Sequence, residues 1–450
     1  MQDTIAGIAT ALGDGGVAIV RVSGDMAGAI FARAFRAARH TPPFASHRLM
    51  YGHIVDASGN VVDEAMGVYM RAPATYTRED VCELHTHGGH AAAEVALRLC
   101  CTLGARPAEA GEFTRRAFMN GRIDLAQAEA VMGVIGAQSQ AALKAEQALL
   151  AGGVSRFLRD AQDRLLALLA GVEAHIDYPD EIDLAEATAG LLQGLASLAG
   201  DLNAAVDERG ARILRQGLRV ALFGRPNAGK STLFNALLGE DRAIVTEIPG
   251  TTRDVLEGSL SLNGLNIRLL DTAGLRESAD TVEKIGVARA REAMHNADAA
   301  LLLIDACAPL TPEDEALLRQ PVGSPCAVLL SKGDAATVLT EADIAARTAF
   351  RPIVTISART GQGLGEVRAY LLAQARLPHE GMLTHERHMA AARAAAEKLT
   401  QAGEALAGGL PLEMGAVDMR EALWLLGRIT GESVDDRLLD EIFSTFCVGK

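Results

Sequence analysis

At 450 residues the chain is too long for one ordinary domain, and its 49% apolar and 22% charged residues supply core material that a disordered chain lacks. A formal charge of −14, one Trp and five Tyr argue against a protein that grips nucleic acid unaided, by Lys and Arg displacing counterions or by rings stacking on bases. The six cysteines (Cys82, Cys100, Cys101, Cys307, Cys326, Cys447) form no Cys-x-x-Cys pair, which argues against a structural zinc site or a disulfide framework.

The opening MQDTIAGIAT lacks the basic segment and apolar stretch of a signal peptide. The apolar run Ala299–Ile304 stops at Asp305, too short to span a bilayer, so a cytoplasmic location without membrane contact is expected. Residues 1–118 hold short β-like runs (16–22, 48–55, 61–70, 81–85) between Gly- and Pro-containing breaks, which predicts an α+β domain. From 119 to 216 the pattern turns helical. Val154, Phe157, Leu158, Ala161, Leu165, Leu168, Leu169, Val172 and Ile176 recur at three- and four-residue spacing, one buried face of a long helix that Pro179 ends.

Residues 217–377 alternate helices with apolar strands at 218–224, 267–274, 299–305, 326–332 and 352–358, the pattern of a buried parallel sheet. After Pro378 helices return at 388–406, 420–429 and 436–443, in a segment 378–450. The simplest arrangement is α/β and α+β multidomain: an N-terminal α+β domain, then one helical domain interrupted by an inserted α/β domain.

Gly224-Arg225-Pro226-Asn227-Ala228-Gly229-Lys230-Ser231 follows a strand and opens a helix. Glycines let the backbone curl so that successive N–H groups face phosphate oxygens; Lys230 brings charge to the outer phosphates and the Ser231 hydroxyl can bind Mg²⁺. Asp271-Thr272-Ala273-Gly274 follows another buried strand: Asp271 can approach that Mg²⁺ through a water, and the Gly274 amide can sense a γ-phosphate. Between them Gly250-Thr251-Thr252-Arg253-Asp254 can bring a Thr hydroxyl, Thr252, onto the metal.

Ser331-Lys332-Gly333-Asp334 ends a strand where GTPases usually carry Asn-Lys-x-Asp. A carboxylate there accepts guanine's N1 and N2 hydrogens, which adenine cannot provide, and the Ser357-Ala358-Arg359 turn can donate a backbone N–H to guanine O6. Ser331 is shorter than Asn; a lost neutral hydrogen bond costs ~0.5–1.5 kcal/mol, so GTP affinity is expected to fall about tenfold while guanine choice survives. Leu275 holds the place where many GTPases carry a water-orienting Gln, so another polar group must act, with Glu283 the candidate. Asn227 either caps its turn or offers an amide oxygen to a monovalent cation that replaces an arginine finger, with Thr246 and Ile248 carbonyls completing its shell.

With GRPNAGKS, the 248–254 segment IPGTTRD, DTAGLRE at 271–277 and the terminal Phe446-Cys447-Val448-Gly449-Lys450 assembled, the chain resembles the MnmE (TrmE) family of tRNA-modification GTPases over essentially its full length. The resemblance implies a homodimer built of an N-terminal folate-binding domain (1–118), a helical domain in two parts (119–216, 378–450) and an inserted Ras-like P-loop G domain (217–377). It implies GTP contacts from Gly224, Asn227, Ala228, Gly229, Lys230, Ser231 and Thr232, from Thr246, Glu247, Ile248, Pro249, Gly250, Thr251 and Thr252, and from Asp271, Thr272, Ala273, Gly274, Ser331, Lys332, Asp334, Ser357, Ala358 and Arg359. K⁺ would rest on Asn227, Thr246, Ile248 and Thr251, Mg²⁺ on Ser231 and Thr252, with Glu283 as acid–base residue through a bridging water.

The resemblance further implies that an FAD-dependent partner, MnmG, works with the chain to add a carboxymethylaminomethyl (aminomethyl-type) group to C5 of the wobble uridine of certain tRNAs. The tRNA would be held mainly through that partner. A 5-formyltetrahydrofolate site maps to Arg21, Glu83, Arg122 and Lys450, where Arg122 stands for a commoner Lys, and Cys447 matches a residue needed for modification. A switch GTPase of ribosome assembly shares GRPNAGKS and the GTTRD loop; the flanking domain and FCVGK favour modification.

His85, His87 and His90 look like a metal cluster, yet no carboxylate or thiol pattern completes tetrahedral ligation and a structural turn is expected. The acidic 177–183 segment reads as a solvated loop that ends a helix. Arg115, Arg116 and Arg122 either steer an anion or are simply solvated.

Overall fold

Strands whose apolar residues alternate have one face to bury; strands that are apolar throughout have two. Both kinds occur here. The computed structural model describes residues 3–11, 13, 15–177, 184–240, 256–271, 297–375 and 381–449. The chain divides into two compact units, Met1–Met132 with Leu149–Ala199 and Ala394–Lys450, and Gly133–Ala148 with Gly200–Arg393.

The first unit holds a seven-stranded sheet in the order β3-β4-β5-β6-β2-β1-β7. Its strands are β1 (Ile5–Ile8), β2 (Val17–Ser23), β3 (Phe35–Ala37), β4 (Met50–Val55), β5 (Val61–Met70), β6 (Val81–His87) and β7 (Arg106–Pro107). Neighbours are antiparallel apart from β1 and β7. Val20, Val22, Ile54, Cys82 and Leu84 share a core with Ile30 and Phe31 of α1 (Ala27–Ala34) and Ala96 and Cys100 of α2 (His90–Thr102). Period-2 alternation then places Arg21 and Glu83, which are register partners, on the opposite face.

A short helix, α3 (Glu112–Met119), packs with Phe113 against Ile5 and Ala108. The helices α4 (Leu125–Gly136) and α5 (Gln140–Leu150) precede the predicted long helix, α6 (Gly153–Asp177). On α6 Val154, Leu158, Ala161, Leu165, Leu169 and Val172 are buried as expected, but Ile176 is 37% exposed and His175 is buried in its place. After α7 (Leu184–Ala204) comes the larger part of the second unit, to which most of α5 also belongs.

That unit carries α8 (Glu208–Gln216) and a six-stranded sheet ordered β13-β12-β11-β8-β10-β9. The strands are β8 (Leu218–Gly224), β9 (Leu256–Leu262), β10 (Leu265–Asp271), β11 (Ala299–Asp305), β12 (Cys326–Ser331) and β13 (Ile353–Thr355). All pairs are parallel except β9 with β10. On one face Val220, Leu222, Leu301 and Leu329 meet Leu233 and Leu237 of α9 (Lys230–Glu240). On the other, Phe223, Leu302, Ile304 and Val328 meet Leu318 of α10 (Pro312–Arg319) and Ile344 of α11 (Glu341–Ala345). Sequence reading missed β9, although Asn263-Gly264, both with positive φ (49° and 76°), is the dipeptide that turns tight hairpins.

β13 is shorter than predicted, because Ser357 N–H turns away to the Gln362 carbonyl (3.0 Å) and α12 (Leu364–Gln374) begins soon after. The last helices are α13 (Glu386–Ala407), α14 (Leu412–Thr430) and α15 (Asp436–Ser444). Within the first unit α6 packs along α14, so helices from before and after the α/β segment do touch. No helix among the described residues is long and apolar enough to cross a membrane.

Candidate functional site

The phosphate loop leaves the C-terminal end of β8, a central strand between β10 and β11. Gly224 takes φ +146°, and a Cβ there would run into the Leu303 carbonyl, so only Gly fits. Asn227 is a rare non-Gly residue at positive φ (64°), and Gly229 follows at 95°. These turns deliver the chain into α9 with its first-turn N–H groups unspent by the helix, a natural anion site. Lys230 is only 6% exposed, and its Nζ donates to the carbonyls of Gly224 (2.8 Å) and Arg225 (2.6 Å) across the loop. Ser231 and Thr232 follow on α9, exposed.

Two elements hold this loop from outside. Ser331, at the end of β12, is buried, and its hydroxyl donates to the Ala228 carbonyl at 2.6 Å, with the Ile304 carbonyl at 3.2 Å. Through that hydroxyl β12, the strand that leads into the Lys332–Asp334 turn, is tied to the loop at 224–231. Arg225 Nε donates to Asp314 Oδ1 at 2.8 Å, and the Asp314 carboxylate is 2% exposed. Sequence reading missed this pair. The only available signal was Thr311-Pro312-Glu313-Asp314, a helix-start signature that explains Asp314 without reference to the loop.

Beyond Ser331 the backbone turns at Lys332 (φ 63°), whose Nζ reaches Asp305 Oδ2 (2.5 Å). Asp334 Oδ1 accepts from the buried Ser357 hydroxyl at 2.7 Å, and Arg359 Nε stands 3.6 Å from Oδ2. The Ser357 hydroxyl, aided by the Asp334 backbone N–H, holds this carboxyl below its ordinary range, so it is a carboxylate at neutral pH. Gly361 N–H closes the Ser357-Ala358-Arg359 turn onto the Ser357 carbonyl (2.9 Å).

Asp271 ends β10 opposite Leu222 of β8. The structure thus gathers the residues named at 224–232, 331–334 and 357–359 at the C-terminal ends of β8, β12 and β13, with Asp271 at the neighbouring strand end. Thr246, Glu247, Ile248, Pro249, Gly250, Thr251, Thr252, Thr272, Ala273, Gly274 and Glu283 lie outside the described residues, as does Lys450.

A second cluster forms on the face of the N-terminal sheet opposite the core shared with α1 and α2. Arg21 Nε donates to Glu83 Oε1 (2.9 Å), and His85 Nε2 lies 3.1 Å from Glu83 Oε2. The His85 hydrogen bond and the Arg21 guanidinium hold the Glu83 carboxyl below its ordinary range, against the opposing effect of burial. The guanidiniums of Arg21 and Arg122 lie 5.9 and 4.8 Å from the Tyr76 ring. Burial raises the Tyr76 hydroxyl, which meets Thr114 Oγ1 at 2.9 Å. The chain's end comes here too: Arg21 Nη1 lies 3.5 Å from the Gly449 carbonyl, Val448 bridges to Ala110, and Cys447 is exposed. Tyr76 carries no sequence signal that separates it from an ordinary core ring.

His85 and His87 lie on β6 and His90 opens α2, so the expected turn is confined to Gly88 and Gly89. His87 Nδ1 pairs with Asp63 Oδ1 (2.8 Å) and His90 with Glu94 (3.5 Å), and the three histidines face three different carboxylates. The three arginines read as either steering an anion or simply solvated have three different surroundings. Arg115 pairs with Asp440, Arg122 covers Tyr76, and Arg116 is buried among Asp3, Glu79 and Glu112, so for Arg116 neither steering nor solvation holds.

Family models match two stretches: "GTP-binding protein TrmE N-terminus" over residues 4–122 and "MnmE helical domain" over 125–447. The chain is 45% identical over 456 aligned positions to the tRNA modification GTPase MnmE of Chloroflexus aurantiacus, covering 100% of both chains. It is 41% identical over 457 to that of Levilactobacillus brevis, covering 100% of this chain and 98% of the relative. The solved structure of an Aquifex aeolicus Era variant bound to GDP·AlF4⁻ aligns over 40% of this chain and 65% of its own, at 30% identity and a TM-score of 0.29.

Proposed function

Because this chain belongs to the MnmE family of tRNA-modification GTPases, we propose that it is a K⁺-stimulated GTPase whose cycle drives wobble-uridine modification. In this reading it acts as a cytoplasmic homodimer with an FAD-dependent MnmG-type partner, and adds a carboxymethylaminomethyl group at C5 of U34 in certain tRNAs. The observation that carries the reading is that a glycine-shaped loop before α9 and the Asp334 carboxylate lie at the same, C-terminal end of the β8, β11 and β12 strands, on a chain that matches its relatives end to end. The domain bounds follow it: 1–118 for folate and dimerisation, 119–216 with 378–450 for the helical domain, and 217–377 for the G domain.

With GTP in place, the N–H groups of the loop and of the first turn of α9 take phosphate oxygens, and Lys230 adds charge at the β- and γ-phosphates. Asp334 accepts the guanine N1 and N2 hydrogens; adenine would leave that carboxylate unpaired. A serine hydroxyl on the first turn of α9 and an aspartate at the adjacent strand end are hard oxygen donors, which suits Mg²⁺ on Ser231 and Thr252 with Asp271 reached through a water. Asn227, exposed in its left-handed turn, suits a K⁺ ligand beside Thr246, Ile248 and Thr251. When bound, the two cations supply positive charge to the phosphate oxygens, K⁺ in the role an arginine finger plays elsewhere. Glu283, through a bridging water, takes the proton of the attacking water.

In the N-terminal domain, two guanidiniums flanking Tyr76 with the Glu83 carboxylate suit a flat, hydrogen-bonding ring with an anionic tail, which supports 5-formyltetrahydrofolate or a related folate on Arg21, Glu83, Arg122 and Lys450. Cys447, exposed beside that cluster, is the residue assigned to the modification step. The net charge of −14 agrees with a partner that holds most of the tRNA.

Nucleoside analysis of tRNA from cells lacking this chain is expected to show unmodified wobble uridine with intact ribosomal subunits. Normal uridine modification with defective subunits would point to a ribosome-assembly switch instead. For the chemistry, turnover of the parent and of Glu283→Ala is compared in K⁺ and in Na⁺. Glu283→Ala should bind GTP normally yet turn over about 10²-fold more slowly, and the parent should slow when Na⁺ replaces K⁺. A variant near the parent rate removes Glu283 from the reaction, and equal rates in the two salts remove K⁺.

A further inference from the structure

The Asp314 carboxylate has two tasks. Its Oδ2 accepts from the Thr311 N–H (3.0 Å) and hydroxyl (2.8 Å), which completes the capping box that starts α10. Its Oδ1 is left over from that task, and it accepts Arg225 Nε at 2.8 Å. A helix cap does not need the arginine, and a surface arginine does not need a carboxylate that is 2% exposed. α10 is itself fixed to the sheet by Leu318, packed with Leu302, Ile304 and Val328. Arg225 therefore stands on a rigid support.

What Arg225 holds in turn is the loop. Its carbonyl accepts Lys230 Nζ at 2.6 Å and Ala228 N–H at 3.3 Å. Two residues on, Asn227 sits in the left-handed conformation, which Asn adopts more readily than other non-Gly residues. The far side of that turn is tied at Ala228 by Ser331. In a trans peptide the C=O and the following N–H point opposite ways, so tying the Ala228 carbonyl to Ser331 turns the Gly229 N–H away from Ser331. The Arg225 carbonyl precedes Pro226, which has no N–H; it shapes the loop by holding the Lys230 ammonium and the Ala228 N–H.

We propose that Arg225 and Asp314 are a positioning pair that pre-shapes the phosphate loop, so that the pair sets how much a β-phosphate adds to nucleotide affinity. The proposal rests on the GTP-binding reading above. Neither residue needs to touch the nucleotide; they act through backbone carbonyls, which separates them from Lys230 and Ser231.

The test is titration calorimetry of the full-length chain with GDP and with GMP in Mg²⁺, in the parent, Arg225→Ala and Arg225→Lys. A hydrogen bond between charged groups is worth about 10- to 100-fold in an equilibrium, so Arg225→Ala should lose GDP affinity by about that factor. GMP, which lacks the β-phosphate, should change less than about threefold, and Arg225→Lys should recover part of the GDP loss. Equal losses for GDP and GMP, or no loss for either, would overturn the pair. If Arg225→Ala fails to fold, Arg225→Gln, which keeps an N–H donor without the charge, carries the same ratio. A parent that binds neither nucleotide defeats the GTP-binding reading itself, a different failure from an unchanged ratio in a parent that prefers GDP.

Discussion

Asp334→Asn should lower affinity for guanine nucleotides on the order of 10⁴-fold while improving affinity for xanthine nucleotides. The Ser357 hydroxyl donates to Oδ1 of Asp334 at 2.7 Å and fixes which oxygen faces the protein. An asparagine in that position gives its carbonyl oxygen to Ser357 and turns its NH₂ toward the base. Two donors then face the N1 and N2 hydrogens of guanine, and the loss includes both missing bonds and the clash of donors. Xanthine carries a carbonyl where guanine has the amino group, and so accepts from the new NH₂. The phosphate end is untouched, because Lys230 and Ser331 keep their own ties to the loop. GDP and XDP titrations with the variant decide the matter: GDP binding within tenfold of the parent would mean that Asp334 does not read the base.

The second large effect concerns stability. Arg116→Ala is expected to destabilise the N-terminal sheet by about 3–5 kcal/mol, the usual result of removing one partner from a buried ion network. Arg116 is 10% exposed; Nη1 donates to the Asp3 carbonyl (2.8 Å) and lies 3.2 Å from Glu79 Oε2, while Nη2 donates to Asp3 Oδ1 (2.7 Å) and Glu112 Oε1 (3.0 Å). Glu112 retains Arg106 and Glu79 retains the Ser23 hydroxyl (2.7 Å), but Glu79 loses its cation while 8% exposed. Arg116→Met should do no better, since it restores volume without charge. Because the chain has two compact units, the readout is amide exchange rather than one unfolding midpoint. Exchange should accelerate by two to four orders of magnitude in β1, β2 and β6 while GDP affinity stays unchanged. Unaltered exchange would show that the acids find other partners.

What the sequence made legible follows from how local each determinant is. The phosphate loop could be read because glycine spacing and a following helix are short-range demands, met by Gly224 and Gly229 at the positive φ the loop needs. Of the five apolar strands of the α/β segment, β8, β11 and β12 were legible because both their faces are buried, whereas β10 buries one face through Leu265, Ile267 and Leu269. β9 escaped because its residues, LEGSLSL, are half polar, although the Asn263-Gly264 turn beside it was in plain view. β1, β3 and β7, of four, three and two residues, are too short to carry a period.

Side-chain fates set by tertiary contact were the least legible. Arg115, Arg116 and Arg122 lie within eight positions, yet one pairs on the surface, one is buried and one covers a ring, according to what other segments present to them. The Arg225–Asp314 pair joins residues 89 positions apart, and the capping box already accounts for the aspartate. Ser331 was legible as a departure from Asn, but its bond to the Ala228 carbonyl was not.

The pairing of α6 with α14 carries a consequence for biosynthesis. α6 ends at Asp177 and α14 begins at Leu412, so the ribosome must make everything between them before the two helices can meet. At roughly 5–20 residues per second that wait is on the order of 10–50 s. During it, whatever part of the leucine-rich stripe of α6 will later lie against α14 has no native cover, while the intervening α/β segment emerges with a core of its own. The nascent chain thus passes through a stage with a finished nucleotide fold and an unclosed helical bundle, the stage at which holding chaperones would have most to protect.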